Sequence, residues 1–351
     1  MRRESKRIKI GNLYVGGNEK IAIQSMTNTP AGNYELLKDQ TSRLVKAGCD
    51  ILRISAPDMN EAKNIGRLKE EFPHLPLVAD IHFDYKIALE CIAAGVDKIR
   101  INPGNIGDDD RVKQVANAAR SAGVPIRIGV NGGSLEKEIL NKYSSPVPEA
   151  LAESAMYHAS LLERFDFDDI IISVKSSNTQ NMINAVKLIA EKCSYPLHLG
   201  VTEAGTKFSG LVKNSVGIGS LLSSGIGDTI RVSLTADPVE EIIAGREILS
   251  SLGLYEKKIN LISCPTCGRT KIDLISICER FEERIPALTP SRSIDVAIMG
   301  CVVNGPGEAK EADIGIAGGN GEAILFKKGI VISKYKEDVI LDVLCDEINK
   351  I

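Results

Sequence analysis

The first part of the chain alternates between short β-branched runs and longer segments in which apolar residues recur at helical spacing. The helical segments include 34–48 and 186–193, and the short runs are typical of strands buried on both faces. The predicted strands are "IAIQSM" (21–26), "ILRIS" (51–55), "LVADIH" (77–82), "KIRINPG" (98–104), "PIRIGVN" (125–131), "DIIISVKSS" (169–177), "PLHLGVTE" (196–203) and "DTIRVSLT" (228–235). Several helices end at a glycine directly before the next strand, in "KAGCD", "AAGVD" and "SAGVP", because glycine adopts the left-handed C-cap conformation without steric cost.

Regular alternation of strand and helix predicts right-handed crossovers and a parallel sheet. Eight such units in about 250 residues match the size of a TIM (β/α)8 barrel. A doubly wound open sheet is the competing fold, but it needs a G-x-G-x-x-G fingerprint after the first strand, and the sequence has none there. The sequence therefore predicts a TIM barrel in residues 1–255, followed by a smaller domain in residues 256–351.

Basic residues alternate with aliphatic ones near the ends of five predicted strands. They are Arg53, Arg100, Arg127, Lys175 and Arg231. Because neighbours in a barrel strand face the helices and the interior alternately, the aliphatic residues are predicted to face the helices and the cations to face the interior. Five converging cations repel one another in low dielectric unless an anion neutralises them. The C-terminal mouth, where TIM-barrel active sites form, is therefore predicted to bind a highly anionic small molecule, such as a diphosphate. The alternative is that internal carboxylates such as Asp80 and Glu203 neutralise the charge.

Other polar side chains follow the same strand ends. They are His82, Asn102, Asn131, Glu203 and Ser233. His82 is predicted to donate to an anion or to act as a general acid. Glu203 is predicted to be a general acid or base, or to orient a substrate hydroxyl.

The pattern changes after residues 251–260. The segments "LISCP", "IDVAIMG", "DIGIAG" and "AILFKKG" predict four strands, and "ISICERF" and "KEDVILDVLCDEINK" predict helices. No further barrel unit fits this pattern, which predicts a small α+β domain.

The small domain carries three cysteines at spacings typical of a metal or iron–sulfur site. They are Cys264 and Cys267 in "SCPTCGRT" and Cys301 in "GCVVNGPGEA". Zinc and an iron–sulfur cluster both accept three thiolates. Cys278 and Cys345 are predicted to lie on apolar helical faces, so Glu308, on the same glycine-rich turn as Cys301, is the favoured fourth ligand. An oxygen ligand is more exchangeable than a thiolate, which would let a substrate bind at that iron.

Composition limits the remaining possibilities. The chain has 351 residues, is 43% hydrophobic and carries a net charge of −3, which predicts a soluble globular protein and gives no support to a nucleic-acid or membrane partner. The N-terminus, "MRRESKRIKIGN", lacks the apolar stretch of a signal peptide and is predicted to be a solvated basic tail. Eight cysteines in such a chain indicate thiol and metal chemistry and a cytoplasmic location. Cys49, Cys91 and Cys193 are predicted to be buried hydrophobic residues.

With these motifs in place, the chain resembles the bacterial family of 4-hydroxy-3-methylbut-2-en-1-yl diphosphate synthases, which serve the methylerythritol phosphate route to isoprenoids. The resemblance covers essentially the whole chain, through "IQSMTNT", "ADIHFDY", "IRINPGN", "IRIGVNGGSL", "SVKSSN", "GVTEAG", "SCPTCGRT" and "MGCVVNGPGEA". A longer form of this family has a domain inserted between barrel and cluster domain. The join at residues 250–262 leaves no room for one, so the chain resembles the short two-domain form.

The resemblance implies a substrate, a cofactor and a set of site residues. The substrate would be 2-C-methyl-D-erythritol 2,4-cyclodiphosphate, opened reductively with two electrons and loss of a hydroxyl as water. The resemblance implies a 4Fe–4S cluster held by Cys264, Cys267, Cys301 and Glu308, with flavodoxin or ferredoxin as the electron donor. The diphosphate-binding cations of the family correspond to Arg53, Arg100, Arg127 and Lys175, and its other pocket residues correspond to His82, Asn131, Glu203, Ser233 and Asn304.

Two alternatives stay open on the sequence alone. A zinc-binding barrel protein acting on a phosphorylated metabolite would keep the three cysteines but would have no use for an exchangeable Glu308. A phosphate-binding barrel similar to dihydropteroate synthase would explain the arginines, but not the added cysteine domain.

The path of the chain also predicts an assembly. The last barrel helix, 238–253, runs antiparallel to the strands and returns the chain to the N-terminal face of the barrel. Only about ten residues then precede Cys264, which limits how far the chain can travel. The cluster domain is therefore expected far from the mouth of its own barrel. A head-to-tail homodimer, in which each cluster domain caps the partner's barrel, would bring cluster and substrate together, and the resemblance implies the same arrangement for the short form.

Overall fold

The structure is a computed structural model that describes residues 1–30, 32–303, 307 and 309–351. Asn304 and Glu308 of the predicted site lie outside the described residues. The chain forms two compact units, Met1–Leu254 and Tyr255–Ile351.

The first unit contains a short hairpin and a barrel of parallel strands. The hairpin strands are β1 (Ile8–Ile10) and β2 (Leu13–Val15), and the barrel strands are β3 (Ala22–Met26), β4 (Ile51–Ser55), β5 (Leu77–Asp80), β6 (Lys98–Ile101), β7 (Ile126–Asn131), β8 (Ile170–Lys175), β9 (His198–Leu199) and β10 (Thr229–Ile230). The strand order is β8-β7-β6-β5-β4-β3-β10-β9, and a parallel bridge between Ile172 and Leu197 brings the two ends of this order together. Each of the eight predicted barrel strands is present, and the TIM-barrel prediction is confirmed.

The helices of this unit alternate with the strands. They are α1 (Tyr34–Lys46), α2 (Met59–Glu71), α3 (Tyr85–Ala93), α4 (Pro103–Ile106), α5 (Asp109–Ala122), α6 (Lys137–Tyr143), α7 (Pro148–Glu163), α8 (Thr179–Lys192), α9 (Lys207–Ser223) and α10 (Pro238–Ser251). The glycines predicted to end helices have positive φ, with values of 86° at Gly48, 84° at Gly95 and 65° at Gly123. In the described part of the chain, no helix is long and apolar enough to cross a membrane.

The main core lies between the strands and the helices. Leu52 and Ile54, which flank Arg53, both belong to it and are at most 2% exposed. Ile99 and Ile101 flank Arg100 in the same way. The aliphatic positions therefore face the helices, as predicted, and the alternating basic positions face the barrel interior.

The prediction of a solvated basic tail at the N-terminus is wrong. Ile8, Ile10 and Val15 of the hairpin are at most 2% exposed and pack with Ala22, Ile51, Val78 and Ile171, which lie at or near the beginnings of barrel strands. The alternating "IKI" and "LYV" around Gly11–Asn12 form a hairpin that closes the N-terminal end of the barrel. The basic side chains are anchored as well, since Lys6 Nζ lies 2.9 Å from Asp168 Oδ2.

The second unit is an α+β domain. Its strands are β11 (Ile259–Ser263), β12 (Ile294–Met299), β13 (Ile314–Gly318), β14 (Glu322–Lys327) and β15 (Ile330–Lys336), and its helices are α11 (Leu274–Arg284) and α12 (Glu337–Ile348). The sheet order is β11-β12-β13-β14-β15. Four of these strands were predicted, and β15 is a fifth. The prediction of four strands is therefore too low, because β15 is an edge strand whose apolar residues, such as Ile330, are exposed.

Candidate active site

A cavity of about 170 Å³ opens at the carboxyl ends of the barrel strands. It is lined by Arg53, His82, Arg100, Arg127, Gly129, Asn131, Ser173, Lys175, Thr202 and Arg231. The structure thus brings the five predicted cations together with His82 and Asn131. Within the residues that the structure describes, Glu203 and Ser233 are not part of this lining, although Glu203 directly follows Thr202. Glu203 is exposed and has a left-handed backbone, with a φ of 52°.

One buried carboxylate organises one side of the cavity. Asp80, at the end of β5, is 1% exposed. It accepts a hydrogen bond from the Arg53 guanidinium, and its other oxygen lies 3.2 Å from Arg100 Nη1. His82 Nε2 lies 3.3 Å from Asp80 Oδ2, the oxygen that also accepts from Arg53. Burial alone would raise the pKa of Asp80, but the charges of Arg53 and Arg100 and the hydrogen bond from His82 hold that pKa well below its usual range. Asp80 is therefore ionised and holds two arginines in fixed positions.

A glycine makes room for one of these arginines. Arg100 Nη2 donates to the carbonyl oxygen of Gly129 at 3.2 Å. A Cβ atom at Gly129 would lie only 2.3 Å from Arg100 Nε. Because such a contact is sterically impossible, the "IGV" segment of β7 requires glycine for Arg100 to reach its position.

The charges of the remaining three cations are less fully balanced by carboxylates. Arg231 Nε lies 3.4 Å from Glu241 Oε2, a carboxylate contributed by α10. Among the described residues, no carboxylate lies within ion-pair distance of Arg127 or Lys175, and Arg127 Nε and Nη2 have no hydrogen-bond partner. Burial, followed by the charges of neighbouring cations, lowers the pKa values of Lys175 and Arg127 well below their usual ranges.

The cavity therefore has an excess of positive charge. The carboxylates that contact its five cations in the described chain are Asp80 and Glu241. The predicted alternative, in which internal carboxylates such as Asp80 and Glu203 neutralise the cluster, is met in part: Asp80 and Glu241 pair with three of the five cations, and Glu203 makes no such ion pair among the described residues. A bound anion would lower the repulsion among the cations and would satisfy buried donors that lack partners.

A second polar layer lies inside the barrel and was missed in the sequence. Lys98 is fully buried, and its Nζ lies 3.4 Å from Gln24 Oε1. His198 is 1% exposed, and its Nδ1 lies 2.8 Å from Thr229 Oγ1. Burial, followed by the charge of Arg127, lowers the pKa of His198 well below its usual range, so its ring is neutral. The alternation that identified Arg100 also predicts that Lys98, two residues earlier on β6, faces the interior.

Replacing Lys98 with methionine is expected to change the pH dependence of stability. Burial, followed by the charges of Arg127 and Arg53, lowers the pKa of Lys98 well below 10.5. The unfolded chain therefore binds more protons at this site, so the stability of the wild type rises with pH up to about 10. Urea unfolding at pH 7 and pH 9.5 should show a smaller rise in Lys98→Met, with no loss of stability at pH 7. Lys113→Met, at an exposed position on α5, is the control. An equal rise in wild type and Lys98→Met would contradict the charge assignment.

In the second unit, two of the predicted cysteine ligands lie at neighbouring strand ends. β11 and β12 are parallel, with Ser263 opposite Ile298. Cys264 directly follows β11, and its Sγ accepts a hydrogen bond from Gly300 N at 3.3 Å. Cys301 follows Gly300 and is 6% exposed. Hydrogen bonds to sulfur are among the features by which proteins tune iron–sulfur clusters.

The third cysteine lies on the turn that follows β11. Cys267 is exposed, and Thr270 N donates to its carbonyl oxygen at 3.0 Å. Hydrogen bonds from the backbone and side chain of Arg269 lower the pKa of the Cys267 thiol, which favours the thiolate. A Cβ atom at Gly300 would lie 2.9 Å from Thr270 Cγ2, so glycine lets the two cysteine-bearing segments approach closely.

These residues fit a thiolate-held group, although the described residues do not gather three or more metal-binding side chains into one cluster. Cys278 and Cys345 lie on α11 and α12, where burial raises the pKa values of both thiols. This placement agrees with their prediction as apolar helical positions. The eight cysteines all lie in the described part of the chain, and none of them forms a disulfide.

Solved structures with similar folds match the barrel. Dihydropteroate synthase from Stenotrophomonas maltophilia, in a structure with active site-bound imidazole, is 14% identical, with a TM-score of 0.51 over 71% of this chain and 98% of that chain. Dihydropteroate synthase from Yersinia pestis is 12% identical, with a TM-score of 0.51 over 70% of this chain and 98% of that chain. Similarity at this level of identity shows the fold alone.

Sequence comparisons are more specific. The model of the GcpE TIM-barrel domain matches residues 5–246, and that of the GcpE protein C-terminal domain matches residues 260–350. Proteins named 4-hydroxy-3-methylbut-2-en-1-yl diphosphate synthase (flavodoxin) match over nearly the full length. The one from Clostridium acetobutylicum is 55% identical over 99% of this chain and 98% of its own, and the one from Caldicellulosiruptor saccharolyticus is 56% identical over 98% of each. The chain therefore belongs to the GcpE family of 4-hydroxy-3-methylbut-2-en-1-yl diphosphate synthases.

Proposed function

We propose that the chain catalyses the reductive ring opening of 2-C-methyl-D-erythritol 2,4-cyclodiphosphate to 4-hydroxy-3-methylbut-2-en-1-yl diphosphate in isoprenoid biosynthesis. The observation that carries this proposal is the convergence of five cations on one cavity, in a chain whose relatives are named for this product. The comparisons give no support to the zinc-binding alternative.

The charge balance of the reaction suits the cavity. The cyclic diphosphate is a dianion, and two electrons and one proton convert it into a linear diphosphate trianion and one water molecule. Ring opening breaks a carbon–oxygen bond, so new negative charge develops on a diphosphate oxygen. Donors that are already fixed, such as Arg53 and Arg100 on Asp80, stabilise developing charge without reorganising. Arg127 and Lys175, which lack a carboxylate partner among the described residues, would bind the diphosphate directly.

The other pocket residues would contact the rest of the substrate. Asn131, Arg231 and His82 line the cavity, and His82 would donate to the substrate or supply the proton that the reaction consumes. Glu203, Ser233 and Asn304 belong to the proposed site through the family resemblance. Glu203 would act as an acid or base or would orient a substrate hydroxyl.

The proposed cofactor is a 4Fe–4S cluster, with Cys264, Cys267, Cys301 and Glu308 as its ligands. The close approach of the two cysteine-bearing segments and the lowered pKa of Cys267 support this assignment. When bound, such a cluster supplies electrons one at a time. Glu308 is proposed as the exchangeable ligand.

The relatives are named with flavodoxin, and we propose flavodoxin or ferredoxin as the electron donor of this chain. The proposed location is the cytoplasm, which keeps thiols reduced, in agreement with eight described cysteines of which none forms a disulfide. The proposed assembly is a head-to-tail homodimer. The direction of α10, which returns the chain from the mouth of the barrel, and the short segment between Ser251 and Ile259 support it.

Anaerobic assay of the reconstituted protein tests the proposal. With the cyclic diphosphate and a chemical reductant, we expect formation of the linear diphosphate, together with about four iron and four acid-labile sulfide per chain. The zinc-loaded protein is the control and should be inactive. Stoichiometric zinc without acid-labile sulfide in anaerobically purified protein would contradict the proposal.

A further inference from the structure

A buried histidine with no part in the proposed chemistry lies beneath two rim loops of the anion cavity. His158, on α7, is fully buried, and its Nε2 contacts Glu136 Oε1. Glu136 lies in the segment that runs from Asn131, at the end of β7, to α6. Asn131 lines the cavity, so His158 holds the far end of a segment whose near end forms part of the site.

The carboxylate of Glu136 is committed to this contact. Glu136 is the N-cap residue of α6, and its side chain makes no capping hydrogen bond to that helix. Burial would raise its pKa, but hydrogen bonds from His158 and from the Glu136 backbone lower it overall. Glu136 is therefore ionised and directed towards α7.

The Cε1–Nδ1 edge of the His158 ring, which adjoins Nε2, faces the other loop. A Cβ atom at Gly104 would lie 2.7 Å from His158 Cε1 and 3.5 Å from Nδ1. Gly104 lies in α4, directly after β6, and its N–H donates to Asn102 Oδ1 at 3.1 Å. The ring thus fills the space left by a missing side chain in the "NPG" turn, while its Nε2 contacts Glu136 in the segment after β7.

We propose that the His158–Glu136 pair is a latch that positions the loops after β6 and β7, which makes His158 a positioning residue for Asn131 at the cavity. The identity of the substrate in this proposal rests on the proposed function, but the latch itself does not. A small displacement of a group that contacts substrate lowers turnover strongly, by up to about a hundredfold per ångström. Breaking the latch therefore affects binding and catalysis from a site that touches neither substrate nor cofactor.

Substitutions at both members of the pair test the latch. His158→Leu fills the space but removes the donor, and it should lower kcat/KM for the cyclic diphosphate about tenfold to a hundredfold. His158→Gln keeps a side-chain N–H and should restore most of the loss. The double variant His158→Leu/Glu136→Leu should be no worse than His158→Leu, because both changes remove the same interaction. Affinity for inorganic pyrophosphate, measured by calorimetry, should be highest in the wild type, slightly lower in His158→Gln and lowest in His158→Leu and the double variant.

The matched control is Glu153→Gln. Glu153 also joins α6 to α7, through Lys142 Nζ at 2.6 Å and Tyr143 Oη at 2.7 Å, but it does so at the surface. Glu153→Gln should keep wild-type kcat/KM and pyrophosphate affinity. A loss as large as that of His158→Leu would show that any contact between α6 and α7 has this effect, and it would overturn the latch. Wild-type behaviour of a folded His158→Leu would also overturn it.

A substitute variant and a binding measurement cover the cases in which His158→Leu does not fold or the wild type does not turn over the cyclic diphosphate. If His158→Leu does not fold, Glu136→Gln, which keeps the size of the side chain, replaces it, and an unchanged kcat/KM and pyrophosphate affinity there would refute the latch. If the wild type does not convert the cyclic diphosphate, the proposed function fails. The order of pyrophosphate affinities among the variants still decides the latch.

Discussion

Replacing Asp80 with asparagine is expected to lower the free energy of unfolding by about 3–5 kcal/mol, the cost of removing one partner from a buried ion pair. Asp80 is 1% exposed, and its carboxylate contacts Arg53, Arg100 and His82. Asparagine has a similar shape but no charge, so both guanidinium groups would be buried against other cations without compensation. Urea unfolding at pH 7 measures the loss.

The pH dependence of this loss has a defined sign. The pKa of Asp80 in the folded chain is well below 3.8, so the carboxylate stabilises the fold above about pH 4 and loses this contribution as the pH falls further. The difference between wild type and Asp80→Asn should therefore shrink in acid. Pyrophosphate should stabilise Asp80→Asn more than it stabilises the wild type, because the anion takes over the role of the carboxylate.

A surface pair provides the control. Asp39 lies 3.7 Å from Arg43, and its side chain is 73% exposed. Asp39→Asn should change stability by less than about 0.5 kcal/mol. Equal stability of wild type and Asp80→Asn would show that the cation cluster does not depend on this carboxylate.

Strand alternation predicted the cationic site because it is a local property of the chain. Each of Arg53, Arg100 and Arg127 is flanked by aliphatic residues that must face the helices, so the orientation of the cation follows from its own strand. The counter-charge does not follow in this way. Glu241 lies on α10, and nothing in its local sequence shows that it turns towards Arg231 rather than towards solvent.

The hairpin and the edge strand β15 were not predicted, because a local sequence pattern did not show which of their residues are buried. The segment around β1 is rich in arginine and lysine, and this charge obscured the alternation of Ile8 and Ile10, whose burial depends on the open end of the barrel. β15 has the opposite character, because Ile330 is apolar but exposed. In both cases burial depends on elements that lie far away in the sequence, so a local pattern cannot predict it.

The cysteine site was predictable in its chemistry but not in its full geometry. The spacing of Cys264 and Cys267 indicated one turn, and Cys301 indicated a second segment. The adjacency of β11 and β12, which places Cys264 beside Gly300, is a matter of sheet order and could not be read from spacing. The placement of Glu308 lies outside the described residues, so its role as a ligand stays a prediction.

The proposed homodimer makes the largest expected difference in activity, because two chains that are each defective should restore one another. Cys301→Ser should abolish activity by removing a cluster ligand. Arg127→Met removes a buried donor of the diphosphate cavity while keeping most of its volume, and it should cost about 1.5–3 kcal/mol of substrate binding. Each variant alone is expected to form dimers whose two sites are both defective.

In a mixture with free subunit exchange, half of the dimers contain one chain of each kind. If every active site combines the barrel of one chain with the cysteines of the other, one of the two sites in each mixed dimer has an intact barrel and intact cysteines. Activity should then recover to about one quarter of the wild type. Equal mixtures are assayed anaerobically, with exchange verified by differently tagged chains, and a mixture of Cys301→Ser with Cys264→Ser serves as the control that should stay inactive. If each site instead used the barrel and cysteines of a single chain, no mixture of these variants would contain an intact site. A lack of recovery despite proven exchange would therefore refute the composite site.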